Sequence, residues 1–296
     1  MIGLVVNPAA GGGRCAKQVA PWIARLRESG LELEVAHTTG PGHATELAQA
    51  WSAQGLDAVV SVGGDGTLFE VVNGLFAEQQ ARSATALGVL PLGTGNSFMR
   101  DFGVDSAALA FRALTSGRRS PCDVNRVTHD AGTFHSINLF SVGFTADAGA
   151  LMNRRFKALG AAGYVLGVVG CLSRLHGPRF PLALDDGPLD DRPCTLLSFS
   201  NSRFTGGQMQ MAPAADVADG RVDVIRVGQM GRRRLLTCFP RIFQGTHVDM
   251  PEVECTTAAS VRFELETEVD VMVDGEVLRC RPTRLDVLPS AIEVMA

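Results

Sequence analysis

Three glycine-rich loops in the first hundred residues constrain the fold of this chain more than any other feature. They are Asn7-Pro-Ala-Ala-Gly-Gly-Gly13, Gly63-Gly-Asp-Gly-Thr67 and Gly93-Thr-Gly-Asn96. Each follows a short apolar run that is typical of a buried parallel strand. In an open α/β sheet, ligands bind at the carboxyl ends of the strands, where glycines let backbone N–H groups approach an anion closely. Three such loops on one sheet edge therefore predict a phosphorylated ligand.

The first half of the chain, residues 1–125, alternates between strand and helix patterns. The spacing predicts strands at Ile2–Val6, Leu31–Val35, Asp57–Val62 and Leu87–Leu90, with helices over Cys15–Leu26, Leu68–Phe76 and Ala107–Leu114. This order predicts an N-terminal doubly wound α/β domain with a parallel sheet.

Residues 126–296 follow a different rhythm, with turn residues between short apolar runs. Strands are predicted at Phe134–Phe144, Thr195–Ser200, Val222–Val227, Ser260–Glu266, Val269–Val273 and Leu285–Leu288. Two helical stretches, Ala158–Leu175 and Gly231–Phe243, interrupt them. The pattern predicts an antiparallel, β-rich second domain.

Composition and missing motifs exclude several function classes. The net charge of −4 argues against a general nucleic-acid binder. No Walker A loop and no G-x-G-x-x-G spacing occur, which argues against a hydride-transferring dehydrogenase. Seven dispersed cysteines without a C-x-x-C pair indicate free thiols in a reducing cytoplasm. We expect a soluble protein, at most peripheral to a membrane.

Asp65 is the sharpest single residue, because it lies between glycines at a strand end. A carboxylate there can act on a metal–phosphate or accept a proton. The structural alternative is an Asp-Gly turn in which Asp65 caps a helix that begins near Leu68.

At this point the chain resembles the diacylglycerol and sphingosine lipid kinase family. NPAAGGG, SVGGDGTLFEVVNGL and LPLGTGNSFMRDFG occur in the family's order, followed by NSRFTGG at 201–207, APAADVADGRVD at 212–223 and Val273-Asp-Gly-Glu276. GGDGT alone is shared with NAD kinases, and the later motifs separate this chain from them. The resemblance implies an NAD-kinase-like first domain and a C-terminal β-sandwich whose last few residues pack back on the first domain.

The resemblance also implies MgATP in the cleft between the two domains. Residues that match the family's nucleotide contacts are Asn7, Pro8, Gly11, Gly12, Thr38, Gly63, Gly64, Asp65, Gly66, Thr67, Gly93, Thr94 and Asn96. Asp274 and Glu276 match the acidic pair that includes the general base in bacterial members, and we rank this pair first. Asp65 is the alternative base, as favoured in the sphingosine kinase branch. From the residues alone, Asp274-Gly275-Glu276 reads as a plain hairpin turn.

Magnesium ligands follow from the same resemblance, with one departure. Asp65 and Asp123 match two members of a carboxylate network, but Ser97 stands where bacterial diacylglycerol kinases carry an aspartate. Asp101, four residues on, is a candidate substitute. Asp219 matches a structural magnesium loop, with the carbonyls of Asp216 and Arg221 as further ligands.

Two apolar stretches with basic neighbours are candidates for lipid contact. Ala158–Leu172 is flanked by Arg154, Arg155, Lys157 and Arg174, while Arg232–Arg234 and Arg241 accompany Leu235, Leu236, Phe239 and Phe243. Each could line an acyl pocket or meet a bilayer, or could be an ordinary packed helix with a solvated face.

We therefore expect a cytoplasmic, ATP- and Mg²⁺-dependent lipid kinase in transient contact with a membrane. Its acceptor would be diacylglycerol, a sphingoid base or ceramide, and no nucleic acid is expected as a partner. An NAD-kinase-like enzyme and a non-catalytic pseudokinase are the alternatives, the second because of Ser97. Both a monomer and a homodimer are compatible with the sequence.

Overall fold

The computed structural model describes residues 1–147, 149, 170 and 177–296. Contacts divide the chain into unit 1, Met1–Val124 with Leu288–Ala296, and unit 2, Asn125–Val287. The predicted helix Ala158–Leu175, with its basic flanks, lies outside the described residues apart from Gly170. Within the described ranges, no helix is long and apolar enough to cross a bilayer.

Unit 1 alternates strands and helices as predicted. Its elements are β1 (Ile2–Val6), α1 (Arg14–Glu28), β2 (Leu33–His37), α2 (His43–Ala53), β3 (Ala58–Gly63), α3 (Asp65–Leu75), β4 (Ala86–Pro91), a 3-10 helix (Phe98–Phe102) and α4 (Ala107–Ser116). The four strands are parallel in the order β2-β1-β3-β4. β2 begins two residues later than expected, because Leu33 is the residue that pairs with Ile2 at the start of β1.

Helices cover both faces of this sheet. Gly3 pairs with Val59, and a Cβ on Gly3 would collide with the Trp51 ring of α2. On the next residue pair, Val60 aligns with Gly88, whose Cβ would lie 2.7 Å from Leu114 of α4. Because successive residues of a strand face opposite sides, α2 and α4 lie on opposite faces. The predicted doubly wound arrangement is confirmed.

Unit 2 is built almost entirely of antiparallel strands. The remaining elements of the described residues are β5 (Arg119–His129), β6 (Gly132–Ser136), β7 (Leu139–Gly143), β8 (Leu182–Leu184), β9 (Cys194–Ser200), β10 (Phe204–Thr205), β11 (Met209–Gln210), β12 (Val222–Gly228), α5 (Arg232–Cys238), two 3-10 helices (Phe239–Gln244 and Thr246–Asp249), β13 (Val253–Ala258), β14 (Ser260–Phe263), β15 (Val269–Val273), β16 (Glu276–Cys280) and β17 (Pro282–Met295). One sheet has the order β13-β12-β9-β7-β15-β16. In the other layer of unit 2, β14 pairs with β8 and β17.

Aromatic side chains join the two sheets of unit 2. The ring of Phe263 on β14 packs edge-on against Phe140 of β7 and Phe199 of β9, with centroids 6.0 and 5.4 Å apart. All three side chains are buried. Two sheets packed face to face over such a core form a β-sandwich, as the family resemblance implies.

Strand boundaries in unit 2 differ from the prediction at informative places. The single strand expected at Phe134–Phe144 is wrong, since β6 and β7 are separated by Ile137 and Asn138. The backbone N–H groups of these two residues donate to a carboxylate instead of to a neighbouring strand. Strands β13 and β16 were not predicted, because exposed polar residues interrupt their apolar alternation.

The final strand, β17, is longer than the predicted Leu285–Leu288. Its residues from Leu288 onward belong to unit 1, where Val294 pairs in parallel with Leu87 of β4. The chain thus returns to unit 1 after completing unit 2.

Candidate active site

The three glycine loops lie at one edge of the parallel sheet of unit 1. They begin where β1, β3 and β4 end, and Thr38 follows β2 at the same edge. The structure thus brings all the residues predicted to contact the nucleotide to this edge, namely Asn7, Pro8, Gly11, Gly12, Thr38, Gly63, Gly64, Asp65, Gly66, Thr67, Gly93, Thr94 and Asn96.

The second and third loops interlock through their backbones. The carbonyl oxygen of Gly63 accepts hydrogen bonds from the N–H groups of Leu92 (3.0 Å) and Gly93 (2.7 Å). A Cβ on Gly93 would lie 2.6 Å from the backbone nitrogen of Gly64, closer than any side chain permits. Asn96, at φ 48°, donates from Nδ2 to the carbonyl of Gly93 (2.9 Å). The two loops therefore form one rigid backbone surface.

Asp65 joins these two loops rather than capping a helix that begins at Leu68. Helix α3 begins at Asp65 itself, and the preceding Gly64 makes no side-chain capping bond. The Asp65 carboxylate accepts a hydrogen bond from the Ser97 N–H (3.2 Å). A Cβ on Gly95 would collide with the same carboxylate. The capping interpretation is wrong, because the side chain reaches across to the next loop.

The first loop is fixed by Asn7 and then turns through three left-handed glycines. Asn7 donates from Nδ2 to Thr67 Oγ1 and accepts from the Ala9 N–H, both at 3.0 Å. Gly11–Gly13 have φ of 62°, 68° and 84°, a conformation that glycine adopts without strain. Helix α1 follows without a side-chain cap. Uncapped N–H groups at a helix start can bind an anion.

Glu70 is a residue that sequence reasoning missed. Its carboxylate accepts from the backbone N–H groups of Gly42 (3.0 Å) and Ala44 (3.1 Å). It therefore caps the N-terminus of α2 from the neighbouring helix α3. No local pattern signals this contact, because the partners are 28 and 26 residues apart. The start of α2 is thereby occupied by a protein carboxylate.

Ser97 and Asp101 have different surroundings. Ser97 is buried, at 1% exposure, and contributes its N–H to Asp65. Asp101 lines a cavity of about 580 Å³ on unit 1. The other residues that line this cavity are Phe102, Arg118, Arg119, Ser120 and Ala296. Two guanidinium groups in the same cavity disfavour a metal cation there.

Asp123 lies inside unit 1. Its side chain is fully buried, and Oδ1 accepts a hydrogen bond of 2.6 Å from the Ser290 N–H of β17. Ser290 has a left-handed φ of 47°. Asp123 therefore anchors the returning strand at a bend.

In unit 2, Asp274 occupies the two-residue turn between β15 and β16. Asp274 and Gly275 both have positive φ, 46° and 89°, as a tight hairpin turn requires. The side chain is buried, and four donors surround its carboxylate. These are Ser136 Oγ (2.8 Å) and the N–H groups of Ile137 (2.9 Å), Asn138 (3.0 Å) and Leu139 (2.8 Å). Burial raises the pKa of Asp274, and the four donors oppose that rise.

A further layer of buried polar groups holds the loop that binds Asp274. Asn201 donates from Nδ2 to the carbonyl of Ile137 (2.9 Å), and its own N–H donates to the carbonyl of Asn138 (2.8 Å). The Ser202 hydroxyl donates to the Asn138 side chain. Sequence reasoning quoted Asn201 and Ser202 only as part of NSRFTGG. This layer fixes the segment between β6 and β7.

Glu276 differs from Asp274 although the two are only two residues apart. Glu276 is the first residue of β16, pairs with Val273, and is exposed. The structure thus gives the acidic pair one internal and one accessible member.

The loop of Asp219 combines several carboxylates. Asp216 accepts from the Ala218 N–H (3.0 Å), and Asp219 accepts from the Arg221 N–H (2.9 Å). Burial and the charges of Asp219 and Asp216 together raise the pKa of Asp223 to about 6. Across the described ranges, no three His, Cys, Asp or Glu side chains converge as a metal-binding group.

Comparison with known proteins identifies the family. Residues 1–127 match the model of the diacylglycerol kinase catalytic domain, and residues 138–296 match that of the YegS C-terminal NAD kinase beta sandwich-like domain. A diacylglycerol kinase from Mycobacterium tuberculosis is 32% identical over 295 residues, covering 98% of this chain and 93% of that protein. A protein named probable lipid kinase YegS-like, from Pseudomonas aeruginosa, is 30% identical and covers 94% and 89%.

Solved structures agree with this result. One from Bacillus anthracis, assigned as a diacylglycerol kinase, has a TM-score of 0.79 and 25% identity, and the match covers 99% of this chain and 96% of that one. With both domains matched in order along the whole chain, this protein belongs to the diacylglycerol kinase family and is an ATP-dependent lipid kinase.

Proposed function

We propose that this lipid kinase transfers the γ-phosphoryl group of MgATP to a hydroxyl group of diacylglycerol. The observation that carries this choice of acceptor is the M. tuberculosis relative named diacylglycerol kinase, which aligns over nearly all of both chains. A sphingoid base and ceramide are the competing acceptors, and the experiment below distinguishes them.

The glycine loops of unit 1 are the proposed site of the ATP phosphates. Because Gly63, Gly64 and Gly93 carry no Cβ, the two loop backbones can pack directly on each other, and main-chain N–H groups of such glycine loops can bind phosphate oxygens. A surface fixed before the substrate binds stabilises developing charge without reorganising. Asp65, half-buried at the start of α3, is the proposed carboxylate beside the Mg²⁺ that accompanies ATP. We leave Asp123 out of this role because it is fully buried and holds Ser290.

Glu276 is the proposed general base. It is exposed on unit 2, so it can accept the proton that leaves the acceptor hydroxyl as the phosphoryl group arrives. Asp274 is a positioning residue in this proposal, since the Ser136 hydroxyl and three backbone N–H groups surround its carboxylate. Asp65 is the alternative base.

A second Mg²⁺ is proposed at the Asp219 loop. The charges of Asp216 and Asp219 raise the pKa of Asp223, and a divalent cation with oxygen ligands would offset that repulsion. The carbonyls of Asp216 and Arg221 would complete the site. In the absence of ATP, Mg²⁺ should raise the Tm of the wild type, and Asp219→Asn should remove that rise.

Because diacylglycerol is a membrane lipid, the proposal includes transient contact with a bilayer from the cytoplasmic side. No nucleic acid enters the reaction. Sedimentation velocity measurements would show whether the enzyme acts as a monomer or as a homodimer.

The test is a transfer assay with radiolabelled ATP, Mg²⁺ and purified protein. Diacylglycerol, sphingosine and ceramide are offered separately in mixed micelles and NAD in solution, and the products are resolved by chromatography. Labelled phosphatidic acid is the expected product. Label on sphingosine or ceramide alone would show that this lipid, and not diacylglycerol, is the acceptor. Label on NAD alone would overturn the proposal of a lipid acceptor. ATP binding without any product would favour the non-catalytic alternative that Ser97 suggests.

A further inference from the structure

The helical segment Gly231–Gln244, comprising α5 and the 3-10 helix Phe239–Gln244, has two distinct faces. Leu235, Cys238 and Ile242 are buried. Between these residues, all side chains except that of Phe239 are exposed. Leu235 and Ile242 pack into two separate apolar clusters of unit 2. One side of the segment is thus packed on unit 2, and its other side is exposed.

Its outward face carries two large apolar side chains. Leu236 is 48% exposed and Phe243 is 45% exposed, whereas the other two exposed large apolar side chains of the described ranges, Met1 and Leu189, lie far apart in sequence. The ring of Phe243 packs edge-on against Phe239, with centroids 5.9 Å apart, and Phe239 packs on the buried clusters. Phe243 is therefore presented on a fixed support.

Positive charge surrounds these two side chains. Arg232, Arg233, Arg234 and Arg241 are all exposed, and Arg234 forms two hydrogen bonds with Glu252 (2.8 and 3.0 Å). Residues 231–248 include no Asp or Glu, although the chain as a whole carries a net charge of −4. The segment is a local basic patch on an acidic protein.

We propose that this outward face docks the enzyme on anionic membranes. Leu236 and Phe243 enter the boundary between headgroups and acyl chains, and Arg232, Arg233 and Arg241 bind lipid phosphates. This combination is typical of interfacial helices. Two apolar side chains are too few for a stable protein interface, which buries roughly 800 Å² per partner. The inference rests on the proposed lipid acceptor, which places the enzyme at a bilayer.

Flotation with vesicles tests the docking face directly. Vesicles of phosphatidylcholine alone are compared with vesicles that also contain an equal amount of phosphatidylglycerol. The double variant Leu236→Ser with Phe243→Ser should bind anionic vesicles at least about 10-fold more weakly than the wild type, given the apolar area it withdraws from the bilayer. The triple variant Arg232→Gln, Arg233→Gln and Arg241→Gln should lose about fivefold per charge on anionic vesicles, together with most of the salt dependence of binding.

Leu189→Ser is the matched control, because Leu189 is 47% exposed elsewhere on unit 2. It should bind vesicles as the wild type does. All variants should phosphorylate a short-chain diacylglycerol dispersed without vesicles within about twofold of the wild-type rate, since none of these side chains belongs to the proposed phosphate site or is the proposed base.

Each outcome separates the docking face from the proposed acceptor. Wild-type phosphorylation of the short-chain lipid without vesicle binding would overturn the docking face and leave the acceptor standing. Vesicle binding that depends on Leu236 and Phe243, without diacylglycerol turnover, would support the docking face and overturn diacylglycerol as the acceptor. Equal losses in Leu189→Ser would also overturn the docking face. So would a wild-type dimer that the Leu236 and Phe243 variants convert to a monomer, because the face would then be an interface between copies.

Discussion

The glycine loops of unit 1 and the acidic turn of unit 2 achieve rigidity by opposite means. Between Gly63–Gly64 and Gly93 the backbones approach so closely that no side chain fits. Around Asp274 a buried carboxylate draws in four donors from a neighbouring loop. The glycine loops are rigid because their glycines lack Cβ atoms, whereas the turn is rigid because the Asp274 carboxylate binds four donors. Substitutions should therefore damage the two regions in different ways, by steric clash in unit 1 and by lost hydrogen bonds in unit 2.

The largest effect should come from Glu276→Gln, the exposed member of the acidic pair. Removing the proposed base should lower kcat by about 10³-fold. The Kd for ATP and the Tm should stay unchanged, because Glu276 is exposed. Steady-state kinetics, isothermal calorimetry and thermal melts measure these quantities. Glu266→Gln, another exposed glutamate of unit 2, is the matched control. If Glu276→Gln keeps a third of the activity, Glu276 is not the base.

Asp274→Asn should act on stability as well as on rate. The amide NH₂ would face N–H donors, so we expect the free energy of unfolding to fall by about 3 kcal/mol. Ser136→Ala removes one donor and keeps the carboxylate, and should cost about 1 kcal/mol. Urea titrations measure both changes. An Asp274→Asn variant with wild-type stability but no activity would show that Asp274 takes part in the chemical step and is not only a positioning residue.

Gly93→Ala should spread the two interlocked loops. Overpacking of this kind costs roughly 1–3 kcal/mol of stability, and we expect ATP affinity to fall about 10-fold as the phosphate surface distorts. Gly40→Ala is the control, because its Cβ would meet no atom within 4 Å and its φ is not positive. Calorimetric titration with ATP compares the two variants. Normal ATP binding by Gly93→Ala would disprove the close-packed loop as the phosphate surface.

The smallest expected effect concerns the pH dependence of stability in unit 2. His135 lies next to Ser136 on β6, and burial, assisted by the charge of Arg126, lowers its pKa to about 4. A histidine whose folded pKa is lowered contributes stability above pH 6.5, and that stability is lost as pH falls toward 4. Between pH 7 and pH 4.5 the wild type should lose about 2 kcal/mol more than His135→Asn. Urea unfolding at both pH values measures the difference, and parallel losses in the two proteins would contradict it.

Periodicity predicted most of unit 1, because buried parallel strands are continuous apolar runs. It failed where tertiary contacts decide the structure. The strand expected across Ile137 and Asn138 is broken since Asp274, more than 130 residues away, takes the N–H groups that a strand would use. Strand β13 was missed because exposed Glu254, Cys255 and Thr257 hide its alternation.

The residues of the candidate site were predictable mainly as motifs, and their individual environments were not. The GGDGT motif located Asp65, but not its bond to Ser97. The family resemblance pointed to Asp274 and Glu276 as a pair, but in the structure Asp274 is buried and Glu276 is exposed. Glu70 and Asn201 act through long-range hydrogen bonds that leave no local trace in the sequence.

The return of β17 to unit 1 has a consequence for biosynthesis. Val294 pairs with Leu87, and Ser290 binds the buried Asp123, so unit 1 lacks part of its core until residues 288–296 have left the ribosome. Unit 2 is contiguous in sequence and can collapse earlier. Unit 1 therefore emerges first but completes its fold last, because its sheet needs the C-terminal residues of the same polypeptide.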